Sequence, residues 1–481
     1  MNTAAIAFAD IRRAMAEFDL ASRVEPNTPI SADRAFLPAG HRGVLDLRRQ
    51  LVVGNRGMGK SFWTHALLNQ EVRNKLAEHY QHAELKTTEV KLGFNGSIRT
   101  DDFAPTVDEV VQLQAESVPA DLIWKGVFLR IANAVTGQPV FNLTHSIAAL
   151  RSDPTLYSNV LSELDRQLGA QRRHLLVVFD ALDRLGPDWN GIRDLSKALL
   201  RLSIGLQSFR SIRAKIFMRV DQFADRELFM FPDSSKIRND HVNLIWQPQE
   251  LYGLLLFEIL RNQRGKPALH ALAAREGALA ALPIDGSDSM ADLEPQRKLV
   301  HALAGEFMGS SKKRGLVYTW VPLHLSDAAN TCAPRTFLTA WKKAAEHSPA
   351  PVDRAVDHLS LLDGVRSASQ VRLNELYEDY GWIRPSLEAL KRQLVPMTRN
   401  QLFQLWRDKR VIETIQATGN RQAQSVPAGL AAASDSEALL EAMVSVAVME
   451  ERSNGKINVP DIFRVEAGIL RKGGVAVPKR R

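Results

Sequence analysis

Residues Leu51–Ser61 read LVVGNRGMGKS, and this stretch decides the fold. A short apolar run enters a glycine-rich turn and ends in Gly-Lys-Ser, which completes the phosphate-loop (P-loop) pattern G-x-x-x-x-G-K-S/T. The apolar run predicts a strand, and the following FWTHALLNQEVRNKLAEHY predicts an amphipathic helix whose N-terminal dipole favours bound negative charge. The alternative is a chance glycine-rich turn, which rarely falls between a strand and a helix. The pattern therefore predicts a site for a nucleoside triphosphate.

The positions of the loop have separate physical roles. Its glycines allow backbone conformations that a Cβ disfavours, so successive N–H groups can wrap a phosphate. Lys60 supplies a positive charge for the β- and γ-phosphates, and the Ser61 hydroxyl suits Mg²⁺. We therefore predict that ATP and Mg²⁺ are the cofactors. The residues expected to contact the nucleotide are Gly54, Asn55, Arg56, Gly57, Met58, Gly59, Lys60, Ser61 and Phe62.

Length and composition limit the class of protein. The chain has 481 residues, enough for about two to four domains. Its net charge of +8 fits either a solubilising surface or contact with nucleic acid. The single cysteine, Cys332, excludes an intramolecular disulfide and a cysteine-based zinc site. No apolar stretch approaches the roughly 18 residues of a membrane span, so we expect a cytoplasmic protein without a membrane partner.

Short β-rich runs alternate with helical sequence over the first half of the chain. This alternation predicts an α/β fold with a doubly wound parallel sheet. The expected strands are Leu51–Gly54, Thr88–Phe94, Leu175–Phe179, Lys215–Arg219 and Val242–Trp246. One intervening segment, Asn95–Val118, is rich in Gly, Asp, Pro and Thr and predicts an extended excursion.

From Gln247 onward the pattern becomes mainly helical, which predicts a helical lid and then a helical and winged-helix C-terminal region. The expected domains are an N-terminal helical segment at 1–44, a P-loop core at 45–265, a lid at 266–350, a helical region at 351–416, a linker at 417–434 and a winged-helix-like module with a basic tail at 435–481.

A second acidic motif narrows the chemistry. His174–Leu185 reads HLLVVFDALDRL, in which an apolar run ends in Asp180 and a second carboxylate follows at Asp183. The end of a central strand would bring Asp180 to the edge where open α/β sheets bind ligands, so we predict that Asp180 and Ser61 orient Mg²⁺. Asp183 is expected to polarise the attacking water. The alternative for Asp183 is a helix N-cap.

The fourth strand candidate reads KIFMRVDQF and ends in Arg219. A cation beside the γ-phosphate can sense hydrolysis, because its partner leaves with that phosphate. We therefore predict a catalytic role for Arg219 beside Asp180 and Asp183. The alternative is an arginine that pairs with Asp221 or Asp225 on the rim of the sheet.

Together, GNRGMGKS, FDALDR and the strand ending in Arg219 resemble the STAND class of P-loop NTPases, relatives of the AAA+ group. Residues 180–184 are most similar to the Asp-x-hydrophobic-Asp-Arg box of KAP-type ATPases. They are also similar to the Asp-Gly-hydrophobic-Asp-Glu box of NACHT domains, from which Arg184 departs. The resemblance covers residues 45–345. It implies a lid whose basic side chain reports on the nucleotide, and Arg335 is the candidate because Pro334-Arg335 resembles the pair that opens a lid helix in AAA+ relatives. The alternative is a helix N1 proline followed by a surface arginine.

The C-terminal sequence Glu437–Val459 predicts a helix followed by a hairpin with an Asn454-Gly455 turn. A helix and hairpin in this order resemble the second half of a winged helix. Cations that could contact DNA phosphates cluster beyond the start of the hairpin. They are Arg464, Arg471, Lys472, Lys479, Arg480 and Arg481. Winged helices of STAND proteins also serve as internal switch elements, which is the alternative.

The leading functional hypothesis is an ATP-dependent molecular switch or motor subunit that hydrolyses ATP slowly and changes its contacts with a protein partner. A nucleotide-dependent homo-oligomer is compatible with this hypothesis. The resemblance implies a role in bacterial regulation or anti-phage defence. One rival is a DNA-binding ATPase of initiator or transposition-helper type. A small-molecule phosphotransferase is the other, and the large helical C-terminal region gives it no support.

Overall fold

The computed structural model describes residues 7–20, 32–97, 103–186, 188–283, 286, 293–422, 435–472 and 475–477. The chain divides into two compact units. Arg23–Leu244 form one of them, the sheet unit, whereas Met1–Ser22 and Ile245–Arg481 form the other, the helical unit. The sequence-based limits differ from this division, because the expected N-terminal segment 1–44 is shared between the units and the sheet unit ends before residue 265.

A parallel sheet forms the centre of the sheet unit. Its strands are β1 (Leu51–Val53), β2 (Thr88–Phe94), β3 (His174–Phe179), β4 (Ile212–Met218) and β5 (Val242–Asn243). The strand order is β2-β3-β4-β1-β5, and every pairing is parallel. All of β1 and nearly all of β3 is buried, as expected for a parallel sheet covered on both faces. The predicted α/β fold is confirmed.

Helix α1 (Phe8–Ala16) belongs to the helical unit, and the next helices in the chain belong to the sheet unit. These are α2 (Lys60–Leu68), α3 (Gln70–His79), α4 (Val107–Ala115), α5 (Ala120–Val135), α6 (Leu143–Ser152), α7 (Leu156–Ala170), α8 (Trp189–Gly205), α9 (Val220–Ala224) and α10 (Ser234–Asn239).

The segment expected to be an extended excursion contains helix α4. Of that segment, residues 98–102 lie outside the described residues. The helix begins at a capping box in which the Thr106 side chain accepts from the Glu109 N–H at 3.1 Å and the Glu109 carboxylate accepts from the Thr106 N–H at 2.8 Å. The prediction was wrong here because it weighed the Gly, Asp and Pro content above the T-x-x-E capping signature.

The register of the sheet brings the ends of three strands to one edge. Val53 of β1 lies opposite Met218 of β4, and Phe179 of β3 lies opposite Ile216 of β4. Because the strands are parallel, the residues that follow β1, β3 and β4 emerge at the same carboxyl edge. Strand β4 lies between β1 and β3 in the sheet.

The helical unit is built from α1 and the helices that follow β5. They are α11 (Pro248–Arg261), α12 (Gly265–Arg275), α13 (Glu294–Ala304), α14 (Val317–Leu325), α15 (Pro334–Glu346), α16 (His358–Asp379), α17 (Ile383–Glu388), α18 (Arg399–Asp408), α19 (Val411–Gln422), α20 (Ser436–Ser445) and α21 (Asp461–Ala467). Helix α1 packs on α11, α12 and α15 through a buried face that includes Ile11 and Met15. No helix of the described ranges is both long and apolar enough to cross a bilayer.

The longest of these helices, α16, packs most extensively on α15. The two backbones approach closely at Gly364, where an added Cβ would overlap the carbonyl oxygen of Ala340. Tyr252 of α11 stacks on Tyr318 of α14, with ring centroids 4.4 Å apart, and meets the Trp341 ring of α15 edge-on. Aromatic packing of this kind stabilises the centre of the helical unit.

Short strands organise the C-terminal part of the helical unit. They are β6 (Leu394–Val395), β7 (Met397–Thr398), β8 (Glu450–Glu451), β9 (Lys456–Asn458) and β10 (Leu470–Arg471). Strands β8 and β9 form the predicted hairpin, and Gly455 in its turn has a φ of +71°. Strand β7 pairs with the other side of β9, so one antiparallel sheet joins segments that were expected to belong to separate domains. Of the expected linker, residues 423–434 lie outside the described residues, and Ala417–Gln422 continue α19.

A buried ion pair holds the C-terminal segment. Arg464 Nε lies 2.5 Å from Asp461 Oδ1, and both side chains are almost inaccessible to solvent. Arg464 Nη2 also donates to the Val475 carbonyl at 2.7 Å, while the Val475 N–H donates to Asp461 Oδ2 at 3.2 Å. Arg471 pairs with the same aspartate at 3.3 Å. Arg464 therefore cannot contact DNA phosphates as the sequence suggested, and Lys479, Arg480 and Arg481 lie outside the described residues.

Candidate nucleotide site

The P-loop between β1 and α2 has the backbone geometry that its glycines predict. Gly57 and Gly59 have φ values of +81° and +104°, in the left-handed region that favours glycine. Gly54 is required for a different reason, since an added Cβ would lie 3.0 Å from the Cβ of Leu244. Met58 is buried, whereas Asn55 and Arg56 are half-buried. The loop therefore turns tightly and leads directly into the N-terminus of α2.

The ammonium of Lys60 lies inside this loop. Its Nζ donates to the carbonyl oxygens of Gly54 at 2.8 Å and Asn55 at 3.1 Å. Burial lowers the pKa of Lys60, and the negative charge of Asp180 partly offsets this effect. The lysine is thus a desolvated cation whose charged form gains from any additional anion in the loop.

The first residue after β3 contacts the first turn of α2. The Ser61 hydroxyl donates to Asp180 Oδ2 at 2.8 Å, and the Asp180 side chain is buried. The Asp180 N–H donates to the Phe94 carbonyl at the end of β2 at 2.8 Å, which holds the aspartate at the sheet edge. A hydroxyl and a carboxylate oxygen at this spacing are the donor types that Mg²⁺ prefers, so the residues present fit this ion.

The chain turns sharply after Asp180. Ala181 has a φ of +56°, which costs an L-residue about 1–2 kcal/mol, and a single 3-10 turn, Leu182–Arg184, follows. Gly96 accommodates this turn, because an added Cβ there would lie 2.8 Å from Cδ of Arg184. Asp183 lies within the turn and is not an N-cap. The cap of the next helix, α8, is Asp188, whose carboxylate accepts from the Gly191 N–H at 2.9 Å.

Arg219 follows β4 and bridges two carboxylates. Its Nη1 lies 3.2 Å from Asp183 Oδ2, and its Nε lies 3.1 Å from Asp221 Oδ1. The sequence-based alternative, a pair with Asp221, is therefore present together with the contact to Asp183. Asp225, the other alternative partner, pairs with Arg193 at 2.8 Å instead. Asp221, which sequence reasoning treated only as a rim partner, is therefore a further candidate for the site.

The charged groups at this edge form one electrostatic cluster. The charges of Asp180, Arg219, Asp183 and Asp221 all influence the pKa of Lys60, so they lie within interaction range of the loop lysine. The structure thus brings together the P-loop, both aspartates of the FDALDR motif and Arg219, although more than 100 residues separate Lys60 from Asp180 in the chain.

The first turn of α2 is anchored by a pair that the sequence did not reveal. The Trp63 indole N–H donates to Nδ1 of the buried His41 at 3.0 Å. The half-buried ring of Phe62 meets the Trp63 ring edge-on, at a centroid distance of 5.4 Å. A buried tryptophan needs a partner for its N–H, but no local pattern identifies a histidine upstream of the P-loop as that partner.

Arg335 belongs to the helical unit. Pro334 occupies the first turn of α15, and the Arg335 Nη1 lies 3.3 Å from Oε1 of Glu375 on α16. Arg372 pairs with the other oxygen of Glu375 at 3.2 Å. The expected contact between Arg335 and the nucleotide stays a prediction.

Comparison with known proteins places no family name on this chain. No protein-family model matches it, and no curated protein matches it. Among solved structures, the Aeropyrum pernix ORC2 protein in its ADPNP-ADP complexes is 13% identical, with 86% of this chain and 84% of that chain covered and a TM-score of 0.38. The ADP form of that protein is also 13% identical, with 94% of this chain and 93% of that chain covered and a TM-score of 0.34. Cdc6p from Pyrobaculum aerophilum is 13% identical, with 93% of both chains covered and a TM-score of 0.29. These scores are low, so the functional argument rests on the geometry of the site.

Proposed function

We propose that the sheet unit binds ATP with Mg²⁺ and hydrolyses it slowly, and that the nucleotide state controls contacts with a protein partner. The observation that carries this proposal is the 2.8 Å contact between Ser61 Oγ and Asp180 Oδ2 beside the P-loop. A buried carboxylate aimed at the hydroxyl of the Gly-Lys-Ser sequence is hard to explain as a packing device, because burying a charge is costly. It is explained when a divalent cation shares both oxygens.

The phosphates would lie in the P-loop. Backbone N–H groups around Gly57 and Gly59 and the N-terminus of α2 favour an anion there. Lys60 would exchange its two carbonyl partners for β- and γ-phosphate oxygens, a gain because a charge-assisted hydrogen bond to an anion is stronger than one to a neutral carbonyl. Ser61 and Asp180 would hold Mg²⁺, which neutralises phosphate charge when bound.

Hydrolysis would be controlled by the partners of Arg219. While Asp183 is paired with Arg219, one oxygen of its carboxylate is held by the guanidinium. A γ-phosphate competes for the guanidinium, which leaves Asp183 able to accept a proton from the attacking water. Loss of that phosphate after hydrolysis would return Arg219 to Asp183. This exchange links the chemistry of the site to its nucleotide state.

The finer assignments rest on the sequence resemblance. We propose a STAND-class ATPase with a KAP- or NACHT-like Asp box, in which Arg335 of the lid responds to the nucleotide. A nucleotide-dependent homo-oligomer and a role in bacterial regulation or anti-phage defence belong to the same proposal.

The direct test is nucleotide binding by single-residue variants. Lys60→Ala should weaken ATP binding strongly while the protein stays folded, because it removes the loop cation and leaves the glycine turn intact. Asp180→Asn should weaken the dependence of ATP binding on Mg²⁺. Lys236→Ala is a matched control, since Lys236 is an exposed lysine of the same unit that pairs with Asp233. Undiminished ATP binding by folded Lys60→Ala would contradict the proposal.

A DNA-binding ATPase remains the second candidate, and one observation favours it. Helices α18, α19 and α20 accompany the sheet β7-β9-β8, an arrangement that we propose to be a winged helix. The end of α18 and the turn that leads to α19 expose three cations, Arg407, Lys409 and Arg410.

The charge on α20 argues against insertion of that helix into a DNA groove. Its exposed side chains include Glu437 and Glu441, which phosphates repel. Arg399 is neutralised by Glu437 and Glu451 at 2.5 and 2.6 Å. We therefore favour a protein contact for the α20 face. Salt-dependent gel shifts with Arg407→Gln/Lys409→Gln/Arg410→Gln test the DNA alternative, which requires weaker binding by this variant.

A further inference from the structure

We propose that a basic hairpin in the helical unit, residues 306–317, binds the phosphate backbone of nucleic acid. This inference is independent of the nucleotide site and of the turn between α18 and α19. It rests on three consecutive cations, Lys312, Lys313 and Arg314, at the tip of the hairpin, and on the cavity beside them.

The hairpin has a defined backbone geometry. Phe307 and Leu316 form an antiparallel bridge. Inside it, the Met308 N–H donates to the Gly315 carbonyl at 2.9 Å, and outside it the Val317 N–H donates to the Glu306 carbonyl at 2.9 Å. A 3-10 turn, Lys312–Arg314, closes the tip. The three cations are therefore carried by an ordered turn.

Packing also fixes both glycines of the hairpin. Gly309 has a φ of +152°, and an added Cβ would lie 2.9 Å from Cγ of Arg314, so the stem of this arginine lies on the glycine. Gly315 has a φ of +95°, and an added Cβ would lie 3.0 Å from the Trp320 ring. The stem of Arg314 is thus packed before any ligand arrives, which lowers the entropy cost of binding.

Among the described residues, the cations at the tip have no anionic partner. All three residues are exposed, and among the residues that the structure describes none of the three side chains makes an ion pair. Adjacent like charges repel one another, and an external anion relieves this repulsion. An ordinary solvated loop would not need the stem of Arg314 to be held in place.

A cavity of about 690 Å³ lies beside the tip. Its lining includes Arg314, Arg354, His358, Met308 and Leu362. The two acidic residues of the lining already have partners. Asp353 pairs with Arg354 at 2.5 Å, and Asp357 caps α16 by accepting from the Ser360 N–H at 2.8 Å. The cavity can therefore accommodate a phosphate and its sugar against an apolar floor.

Nucleic acid is favoured over an acidic protein by the charge pattern. The three tip cations project from one turn, which suits an extended row of phosphates, and the whole chain has a sequence pI of about 9.5. An acidic peptide would need a longer apolar groove for affinity, because exposed ion pairs each contribute only about 0–1 kcal/mol.

The test uses the 481-residue chain in the absence of nucleotide. The probes are a random-sequence duplex DNA and a single-stranded DNA. Lys312→Gln/Lys313→Gln/Arg314→Gln should weaken binding of at least one probe about tenfold or more, and should reduce the slope of log K against log salt by about 2 to 3. The matched control, Arg151→Gln/Arg201→Gln/Arg210→Gln, removes three exposed cations from the sheet unit and should leave both quantities nearly unchanged.

Several outcomes would overturn the inference. The hairpin variant could bind both DNA probes as the parental chain does, or the control variant could lose as much affinity as the hairpin variant. Loss of DNA binding only in the Arg407→Gln/Lys409→Gln/Arg410→Gln variant would assign DNA contact to the C-terminal module instead. Displacement of DNA by poly-glutamate at equal charge concentration would show that the surface prefers an acidic polypeptide. The three tip residues are exposed, so their replacement should leave the fold unchanged. Circular dichroism of the variant checks this expectation.

Discussion

The guanidinium of Arg219 lies 3.2 Å from the carboxylate of Asp183, so two residues with separate predicted roles are partners in the structure. Arg219 directly follows strand β4 and Asp183 lies in the turn after strand β3, and the two strands are neighbours in the sheet. Asp221 holds the same guanidinium at 3.1 Å. This arrangement allows Arg219 to leave Asp183 without becoming unpaired.

Asp183→Asn should abolish most turnover while ATP binding is retained. A general base acts only on the way to the transition state, so its loss should lower kcat by about 10²–10⁴-fold and leave the affinity for ATP nearly unchanged. Steady-state hydrolysis and equilibrium binding measure the two effects separately. Hydrolysis at the parental rate would assign Asp183 a purely structural role.

Asp221→Asn should slow hydrolysis less than Asp183→Asn does. Without Asp221, Arg219 loses one of the two carboxylates that hold it, which disfavours its release from Asp183. Asp221→Glu should restore part of the rate, because it restores the charge. Asp233→Asn is a suitable control, since that exposed aspartate of the sheet unit pairs with Lys236. Equal rates for Asp221→Asn and the parental chain would remove Asp221 from the site.

Arg219→Ala should reduce the difference between the affinities for ATP and ADP. A cation that contacts only the γ-phosphate contributes to ATP binding alone, so the ATP affinity should fall about tenfold while the ADP affinity stays constant.

If Arg335 also responds to the nucleotide, hydrogen exchange across residues 320–345 should differ between an ATP analogue and ADP, and Arg335→Ala should remove that difference. Identical exchange in both states of the parental chain would exclude the switch.

The buried Lys215 should make stability depend on pH. Its Nζ donates to the carbonyls of Asp46 at 2.7 Å and Arg49 at 2.6 Å, and burial lowers its pKa to about 7. In the unfolded chain the lysine keeps its proton up to a pH of about 10.4. Between pH 7 and this value the unfolded chain therefore binds more protons than the folded chain, and the contribution of Lys215 to the free energy of unfolding increases as the pH rises. Denaturation at pH 7 and pH 9 should show this increase, which Lys215→Met should reduce and Lys236→Met should preserve. An unchanged pH dependence in Lys215→Met would contradict the shifted pKa.

Asp461→Asn should destabilise the C-terminal segment strongly. The change leaves the Arg464 charge buried without its anion, which costs about 3–5 kcal/mol. Asp353→Asn is the control, because its pair with Arg354 is exposed and should contribute less than about 1 kcal/mol. Hydrogen exchange across residues 461–477 reports the local effect, and equal protection in the two variants would contradict it.

The sequence by itself determined the features that depend on neighbouring residues in the chain. Short β-rich runs predicted all five strands of the sheet. The runs at β1 and β3 are almost continuously apolar because these strands are buried on both faces of the sheet. The glycine pattern predicted the turn of the P-loop, and the Asn454-Gly455 pair predicted the β8–β9 hairpin. In each case the local backbone conformation is restricted by the residues themselves.

Only the tertiary structure decided which distant groups become partners. On sequence grounds Arg219 could pair with Asp221 or Asp225, whereas the adjacency of β3 and β4 brings it to Asp183 together with Asp221. Arg464 reads as a surface cation, yet it is buried, because Asp461 and the Val475 carbonyl satisfy it. Charges and hydrogen-bond donors can be satisfied by many partners of suitable chemistry, and the packing of the whole chain determines which of them are within reach.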